Sequence, residues 1–456
     1  MNKFIKRIKY LLNKYATKKN LFYKYKSHLK IFLLLILIIE SLYNRHHRNY
    51  LIKVAYYCNS FKNGGVERVI SLLIKYISKE YKFRHYLITN EDKSEGEYIL
   101  DERIDRISLS KERISLIHAI KTNHIDILIY NYYDSSHLKK LNKLKRTKII
   151  CYNHSTYFFW IYQNIFNFND SIYNVYKKCN YIISIIPLEN DYLFKKWGIN
   201  SILLDNPLTF EYDSVIPSDL EGNNIIMIGR ANDIYKRFDL GIHAMTSIIK
   251  EIPTCEMNIL SFPVKKLEDM INELNLTKNV RFIGYQENIE IYYKNCSLHI
   301  LPSILESYSM VLSEAKIFGI PSIITGLDYL ALSKKGTIII YDDEPDSIAK
   351  EAIKILKNKN YRKKLGEEAR ISMKNLKNSL IAKRWVKLLL SVYNENKLSS
   401  LDLSGTKKKI SNYEAEKILH NQLKLIQKRI SLLRYLTFES LLNYSLNEFN
   451  NFFFFL

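Results

Sequence analysis

The chain has 456 residues, of which 47% are hydrophobic and 25% charged, so it is long enough for about two to three globular domains. Its five cysteines are scattered, without a Cys-x-x-Cys pair or the Cys/His spacing of a zinc site. This pattern argues against a disulfide scaffold and a zinc domain, and it predicts buried, reduced thiols in a cytosolic protein. The formal net charge is +23, which raises the question of a nucleic-acid partner.

Residues 1–50 form a basic leader in which twelve Lys and Arg residues stand against Glu40 alone, a net charge of +11. Because nearly half of the positive charge is confined there, the rest of the chain needs no nucleic acid to explain its charge. The apolar run 31–39 is too short to cross a bilayer, which takes about 20 residues, and no small-residue cleavage site follows it. Basic and aromatic residues favour docking on the anionic inner face of the cell membrane; packing on the protein body is the alternative.

From residue 51 onward, apolar runs of strand length alternate with stretches of helical spacing. The first helical stretch, 66–77, places its apolar residues three and four positions apart. Alternation of this kind predicts a parallel sheet covered by helices on both faces, here a Rossmann-like domain over residues 51–208. The predicted strands are 51–58, 86–89, 125–131, 148–153, 181–187 and 201–208.

A polar segment, 211–223, marks a boundary, and the alternation then starts again. A second Rossmann-like domain is therefore predicted over residues 209–378, and two doubly wound α/β domains imply a cleft between them. The predicted strands are 225–229, 256–262, 280–285, 298–301, 321–325 and 337–342. The predicted helices are 238–252, 265–275, 288–296, the segment after Glu306, and 346–357.

The C-terminal part of the chain is predicted to be helical. Residues 361–396 show helical spacing throughout, and the segment 379–396 carries an apolar face that would return the chain to the first domain. Residues 397–456 form a helical tail with a Lys-rich helix over 412–433. Packing on the body and contact with a membrane are both open for this tail.

The stretch 298–321 combines a strand, a loop and a helix predicted from Ser307 to Phe318, with Glu306 at the start of that helix. Glu314 falls at the border of the apolar stripe, where a carboxylate is partly solvated and needs partners. The first amides of the helix lack intrahelical acceptors and favour an anion. The two carboxylates on either side could accept hydrogen bonds from hydroxyl groups. A ligand with a phosphate in its middle and hydroxyl groups at both ends, such as a nucleotide diphosphate sugar, would fit this arrangement. The alternative is an ordinary amphipathic helix with a solvated Glu.

Several other nucleotide and metal motifs are absent from the sequence. No glycine is followed by Lys, so there is no P-loop, and no Gly-x-Gly dinucleotide fingerprint occurs. An Asp-x-Asp pair, the usual metal clamp of the other large class of sugar transferases, is also absent. The sequence therefore predicts a site without a metal and without a bound cofactor.

Three further motifs follow predicted strands. Gly64 and Gly65 follow the first strand, His154 follows the strand that ends at Asn153, and Arg230 precedes Lys236 after the first strand of the second domain. Taken one by one, each motif has a structural interpretation without a functional role. The glycines fit a tight turn, the histidine fits a core or surface position, and the two cations fit a solvated surface. Their order and their common placement at strand ends favour one site.

In this order the motifs resemble those of the family 4 glycosyltransferases, which are retaining enzymes of the two-Rossmann-domain GT-B fold. The resemblance covers about residues 51–394. The Gly64-Gly65-Val66-Glu67-Arg68 segment is similar to the family's early glycine-rich loop, and Glu306 and Glu314 match its E-x7-E signature. Where many relatives carry Gly-Phe-Gly after the first Glu, this chain has Ser307-Tyr308-Ser309, and we expect the bulk of Tyr308 to lie beside the donor sugar.

The resemblance implies a role for each of these residues. Arg230 and Lys236 would stabilise the departing diphosphate, Glu314 would accept ribose hydroxyls, and Glu306 would hold sugar hydroxyls. His154 would bind near the sugar from the first, acceptor-side domain. The implied catalytic residues are His154, Arg230, Lys236 and Glu306. The implied donor-binding residues are Gly64, Gly65, Arg230, Lys236, Ser307, Tyr308, Ser309, Met310 and Glu314.

The expected function is transfer of a hexosyl or N-acetylhexosaminyl group from a nucleotide diphosphate sugar to a lipid-linked or polysaccharide acceptor, as in surface glycan synthesis. The family favours UDP as the nucleotide. Three alternatives stay open at this point: a nucleotide-sugar epimerase on the same fold, a non-catalytic partner subunit, and a nucleic-acid binder. The last would need basic residues interleaved with stacking aromatics along a groove, and no such pattern is seen outside the leader.

Overall fold

A computed structural model describes residues 51–62, 64–80, 82–131, 140–141, 144–159, 176, 178–395, 403 and 410–443, with side chains given as far as residue 429. The chain divides into two compact units, Met1–Ile52 and Lys53–Leu456, and the fold below is that of the second unit. The expectations for the leader, residues 1–50, lie outside the described residues.

The first lobe is built on a seven-stranded sheet with the strand order β3-β2-β1-β4-β5-β6-β7. Its strands are β1 Ile52–Cys58, β2 Phe83–Thr89, β3 Asp105–Ser108, β4 Ile127–Tyr130, β5 Lys148–Asn153, β6 Tyr181–Ser184 and β7 Ser201–Leu203. Its helices are α1 Gly65–Ile77, α2 Leu109–Glu112, α3 Leu116–Thr122 and α4 Phe194–Lys196, the last preceded by a π-helical turn, Glu189–Leu193.

The second lobe is built on a six-stranded sheet with the order β10-β9-β8-β11-β12-β13. Its strands are β8 Asn224–Ile228, β9 Glu256–Leu260, β10 Val280–Phe282, β11 Leu298–Leu301, β12 Ser322–Thr325 and β13 Thr337–Ile340. Its helices are α5 Phe238–Glu251, α6 Lys265–Glu273, α7 Glu290–Lys294, α8 Met310–Ile317, α9 Pro345–Lys357 and α10 Lys359–Ser372. The C-terminal helices are α11 Asn378–Tyr393 and α12 Asn412–Asn443, and 3-10 turns occur at Ile234–Lys236 and Lys374–Leu376.

Continuous apolar runs form the central strands because parallel sheets are buried on both faces. Five of the six residues of β5 are buried, and the strand pairs of known register are parallel in both sheets. The predicted α/β fold with two Rossmann-like domains is therefore confirmed. Strand β3 was not predicted, because this edge strand has the sequence Asp-Arg-Ile-Ser and lacks an apolar run.

The chain passes between the lobes twice, first through the linker between β7 and β8 and again between α10 and α11. The two connecting segments are hydrogen-bonded to each other. Asn378 is buried; its side-chain oxygen accepts from the N–H of Leu208 at 2.7 Å, and its amide nitrogen donates to the Tyr76 hydroxyl at 2.9 Å. The predicted helical region 361–396 is interrupted, since α10 ends at Ser372 and α11, which corresponds to the predicted return helix 379–396, begins at Asn378. The break lets the chain turn back to the first lobe, where α11 packs against α1 and β4.

Helix α12 packs on the protein body and contacts both lobes. It is longer than the predicted helix 412–433, and its residues Ala415, Leu425 and Ile426 are buried. Near its start, the Tyr192 hydroxyl of the first lobe donates to Glu416 at 3.0 Å, while Lys334 of the second lobe pairs with Glu414. Among the described residues, none of the helices combines the length and the hydropathy needed to cross a bilayer.

The close crossing of α10 over the end of α8 gives a stability prediction. A Cβ atom on Gly366 would lie 2.3 Å from the backbone oxygen of Gly319, so Gly366→Ala forces the two segments apart. We expect this variant to lower the free energy of unfolding by about 1–3 kcal/mol, even though alanine favours a helix by about 1 kcal/mol. Urea denaturation measures the loss. Lys364→Ala, an exposed position on the same helix, is the matched control and should change stability by about 0.5 kcal/mol or less.

Candidate functional site

The predicted site residues of the second lobe lie at the carboxyl ends of two adjacent strands. β8 and β11 are neighbours at the point where the strand order reverses, which is where ligands bind in open α/β sheets. β8 leads into Gly229 and Arg230, and β11 leads into the loop that contains Glu306. In the first lobe, His154 directly follows β5 at the corresponding edge of the sheet.

Lys236 and Glu306 form the central ion pair of this region. The Lys236 ammonium lies 2.6 Å from Glu306 Oε1, and the Ser303 hydroxyl donates to the same oxygen at 2.9 Å. Tyr329 holds the backbone of Glu306, because its hydroxyl donates to the Glu306 carbonyl at 2.9 Å and accepts from its N–H at 3.3 Å. The carboxylate therefore has a defined position while part of its surface stays accessible.

Arg230 is the exposed cation of the site. Its side chain is 78% exposed and forms an ion pair with Asp233, at 3.2 Å. Burial raises the pKa of Glu67 on α1, and the positive charge of Arg230 partly offsets that rise. The guanidinium thus acts across the gap between the lobes and is free enough to take a new anionic partner.

Glu314 differs from its expected position at a partly solvated border, because it is 0% exposed. Thr209 of the linker donates to Oε1 at 2.5 Å, Tyr293 donates to Oε2 at 2.8 Å, and Arg68 of the first lobe lies 3.4 Å from Oε1. The expectation failed because the linker and the other lobe cover this face of α8. Helical periodicity within one segment carries no information about such cover.

The helix that carries Glu314 also begins later than predicted. Helix α8 starts at Met310 instead of Ser307, because Ser309 adopts φ +60° and its hydroxyl caps the helix by accepting from the Leu312 N–H at 3.4 Å. Ser307 and Tyr308 are therefore in the loop. The Tyr308 side chain is buried near Asp205 and Tyr152, and burial raises the pKa of its hydroxyl. Its bulk is packed inside the fold, on the side of Tyr152 in strand β5 of the first lobe.

The two glycines after β1 have different surroundings. A Cβ atom on Gly64 would lie 1.7 Å from a carboxylate oxygen of Glu67, whereas nothing lies within 4 Å of one on Gly65. Gly64 is also the N-cap residue of α1, and its carbonyl accepts from the Tyr98 hydroxyl at 3.2 Å. Gly64 therefore leaves space for the Glu67 carboxylate, and Gly65 presents open backbone.

His154 is a half-buried imidazole on a well-supported loop. Its Nε2 atom lies 2.8 Å from Asn131 Oδ1, its ring centre lies 4.0 Å from that of Tyr152, and burial lowers the pKa of His154 to about 3. The loop is held by the buried carboxyl of Glu189, which accepts from the Tyr157 N–H at 2.6 Å and the Asn153 amide at 3.0 Å. Burial raises the pKa of Glu189 to about 8.

Several residues that shape the site were not predicted from the sequence. Arg68 belongs to the glycine-rich segment 64–68, so its place at the start of α1 could be predicted from the sequence. Its ion pair with Glu314 could not. Thr209, Ser303 and Tyr329 belong to no motif. Within the described part of the chain, no group of three or more His, Cys, Asp or Glu side chains is arranged as metal ligands.

Part of the chain is similar in sequence to known sugar transferases. Residues 210–372 match the family model Glycosyl transferases group 1. The chain is 24% identical over 371 residues to a Campylobacter jejuni protein named as a GalNAc-α-(1→4)-GalNAc-α-(1→3)-diNAcBac-PP-undecaprenol α-1,4-N-acetyl-D-galactosaminyltransferase, a match that covers 75% of this chain and all of the relative. Mannosylfructose-phosphate synthase of Agrobacterium fabrum is 23% identical over 188 residues, covering 35% of this chain and 41% of that protein.

Solved structures show the same architecture. Sucrose-phosphate synthase of Thermosynechococcus elongatus superimposes with a TM-score of 0.62 at 15% identity, covering 75% of this chain and all of that one. HepE of Anabaena, solved with UDP and glucose, superimposes with a TM-score of 0.59 at 15% identity over the same shares. The fold is that of the GT-B glycosyltransferases. Together with the group 1 domain at residues 210–372, it identifies the chain as a glycosyltransferase.

The low pKa of His154 gives a prediction that spectroscopy can test. Since the pKa is lowered to about 3, the imidazole should stay neutral from pH 8 down to pH 4, whereas an exposed histidine titrates near about 6.5. Histidine-labelled NMR, with His154→Gln to assign the signal, should show constant ring shifts for His154 in this range. A midpoint near pH 6 would show that the surroundings of His154 do not lower its pKa.

Proposed function

We propose that the chain transfers a hexosyl or N-acetylhexosaminyl group from a nucleotide diphosphate sugar to a lipid-linked or polysaccharide acceptor, with retention of the anomeric configuration as in family 4. The observation that carries this proposal is the Lys236–Glu306 pair at 2.6 Å, which shares the carboxyl ends of β8 and β11 with the exposed Arg230. A cationic pair next to a carboxylate suits a diphosphate joined to a sugar with free hydroxyls.

The two cations would act on the leaving group. Negative charge develops on the diphosphate as the glycosidic bond breaks, and fixed positive charges lower the energy of that transition state. Arg230 reaches the diphosphate from the open gap, and Lys236 approaches it from beside Glu306. Two side-chain cations in this position would take the role of a metal, so we propose that no metal and no cofactor is required.

The ribose would bind at Glu314 in exchange for Arg68. Glu314 contacts Thr209, Tyr293 and Arg68 in this conformation, and the 3.4 Å contact to Arg68 is the longest of the three. The Arg68 side chain is also partly exposed, so it can be resolvated at lower cost than the buried Tyr293. Binding of the nucleotide would therefore open the Arg68–Glu314 pair.

Glu306 and His154 would hold the transferred sugar from opposite sides. The Glu306 carboxylate accepts hydrogen bonds from hydroxyl groups, and His154, whose Nε2 atom faces Asn131 Oδ1, would accept one from a sugar hydroxyl at Nδ1. No carboxylate is assigned as a covalent nucleophile; attack and departure would take place on one face of the sugar. The backbone at Gly64 and Gly65 would approach the substrates from α1, with Ser307, Tyr308, Ser309 and Met310 lining the donor side through the loop and the first turn of α8.

The comparisons favour a UDP-sugar and a membrane-linked glycan acceptor. HepE was solved with UDP and glucose, and the Campylobacter jejuni relative is named for an undecaprenol-diphosphate glycan. A lipid-linked acceptor would explain the basic leader, which would hold the enzyme on the cytoplasmic face of the membrane.

In vesicle co-sedimentation, replacing Lys6, Arg7 and Lys9 by Gln should weaken binding to anionic vesicles, and unchanged binding would remove this role.

Loss of a proposed diphosphate contact should reduce turnover. For Arg230→Ala we expect a loss of about 3 kcal/mol of transition-state stabilisation, or roughly 100-fold in kcat/KM. Steady-state assays of nucleotide release measure the effect. Lys250→Ala, which removes an exposed cation from α5 far along the helix from the site, is the charge-matched control. Turnover within twofold of wild type for both Arg230→Ala and Glu306→Ala would refute the site assignment.

Removal of divalent metals provides a second test. If side-chain cations stabilise the diphosphate, turnover in EDTA should stay within about twofold of turnover in magnesium. The measurement is the initial rate of nucleotide release at saturating donor before and after chelation. A loss of activity that only added metal restores would show that a cation takes part.

A screen of nucleotide sugars, with and without a membrane extract, separates the remaining readings. Release of nucleoside diphosphate that depends on the extract supports transfer to a membrane-linked acceptor. Conversion of the donor sugar without any acceptor would indicate an epimerase. Failure to bind any nucleotide sugar in calorimetry would indicate a non-catalytic partner subunit. Binding of nucleic acid in place of nucleotide sugars would overturn the proposal as a whole.

A further inference from the structure

Helix α12 contributes a buried cation to the base of the Glu306 loop. The Arg429 side chain is 2% exposed and forms two hydrogen bonds with Asp343, at 2.6 and 2.8 Å. Its remaining donors reach the carbonyls of Ile304, at 3.2 Å, and Thr325, at 3.4 Å. Ile304 lies two residues before Glu306, so this cation from the C-terminal helix directly holds the loop that carries the proposed sugar-binding carboxylate.

A second line of contacts leads from the same place to the Glu306 side chain. The Thr325 hydroxyl donates to the Ser303 carbonyl at 3.0 Å, and the Ser303 hydroxyl donates to Glu306 Oε1 at 2.9 Å. The backbone of Thr325 is held by Arg429. Two connected paths therefore run from Arg429 to Glu306, one through the loop backbone and one through Thr325 and Ser303.

Gln422 secures the loop that carries Tyr329. Its amide donates to the Gly326 carbonyl and, at 2.7 Å, to Asp328. Gly326 has φ +59°, and a Cβ atom there would lie 2.5 Å from Leu425 of α12, so the helix and this loop are in direct contact. Tyr329, three residues after Gly326, bonds to both backbone polar groups of Glu306.

We propose that Arg429 and Gln422 of α12 are positioning residues of the transferase site, which hold the 303–306 loop so that Glu306 meets Lys236 and the donor sugar. Neither residue touches the substrates. Both lie beyond the region 210–372 that matches the family model, so this chain uses a segment outside that domain to order its site. The inference rests on the proposed function for its effect on turnover, and on geometry alone for its effect on the loop.

The test uses the full chain and a variant that leaves no buried charge unpaired. Arg429→Met combined with Asp343→Asn removes both partners of the ion pair, and Arg429→Lys keeps the charge with fewer donors. Gln422→Ala tests the second contact alone. Lys424→Met, an exposed position on the same helix, removes one positive charge as the matched control.

The readouts separate positioning from folding. In the double variant we expect kcat for the UDP-sugar consumed by wild type to fall at least tenfold, while the affinity and stoichiometry of UDP in calorimetry stay within twofold. Amide hydrogen exchange should quicken for residues 303–306 and stay unchanged in β8 and β11. Arg429→Lys should recover part of kcat, Gln422→Ala should lower kcat severalfold, and Lys424→Met should match wild type.

Two results would overturn the inference: kcat and loop exchange equal to wild type in the double variant, or a fall in kcat that only follows a fall in UDP stoichiometry, which reports loss of folded protein. If wild type consumes no nucleotide sugar, the proposed function fails. Hydrogen exchange at residues 303–306 then still decides whether α12 orders the loop.

Discussion

The buried carboxylate of Glu314 is the interaction on which the arrangement of the two lobes depends. Removing a carboxylate from water is costly unless charged and hydrogen-bonding partners replace the water. Here the partners come from three parts of the chain: Tyr293 in the second lobe, Thr209 in the linker and Arg68 in the first lobe. A residue proposed to bind the nucleotide thus also joins the lobes, so that nucleotide binding and the relative position of the lobes are coupled through one side chain.

Much of the fold was predictable because parallel strands buried on both faces leave continuous apolar runs, as in β5 and β11. The missed strand β3 is charged and lies at the sheet edge. The late start of α8 depends on Ser309, whose φ of +60° no local pattern indicates. For the candidate site, order along the chain singled out Arg230, Lys236 and Glu306, but the ion pairs Arg68–Glu314 and Asp343–Arg429 could not be predicted, because they join residues far apart in sequence.

The site therefore combines residues placed by local sequence with residues placed by tertiary contacts. A strand followed by a short loop is enough to bring Arg230 and Glu306 to the carboxyl edge of the second sheet. Their orientation depends on Ser303, Tyr329 and the C-terminal helix. The same division applies in the first lobe, where β5 places His154 and the buried Glu189 holds its loop. The proposed substrate-binding residues follow the strand ends directly, and the residues that orient them come from distant parts of the sequence.

A crystal structure of the full chain with UDP would show whether cations of the second lobe bind a nucleoside diphosphate in the gap between the lobes. We expect diphosphate oxygens within hydrogen-bond distance of Arg230 and Lys236, and ribose hydroxyls on Glu314 with Arg68 displaced. UDP bound elsewhere, or bound in the gap with Arg68 still paired to Glu314 and no contact to Arg230 or Lys236, would contradict it.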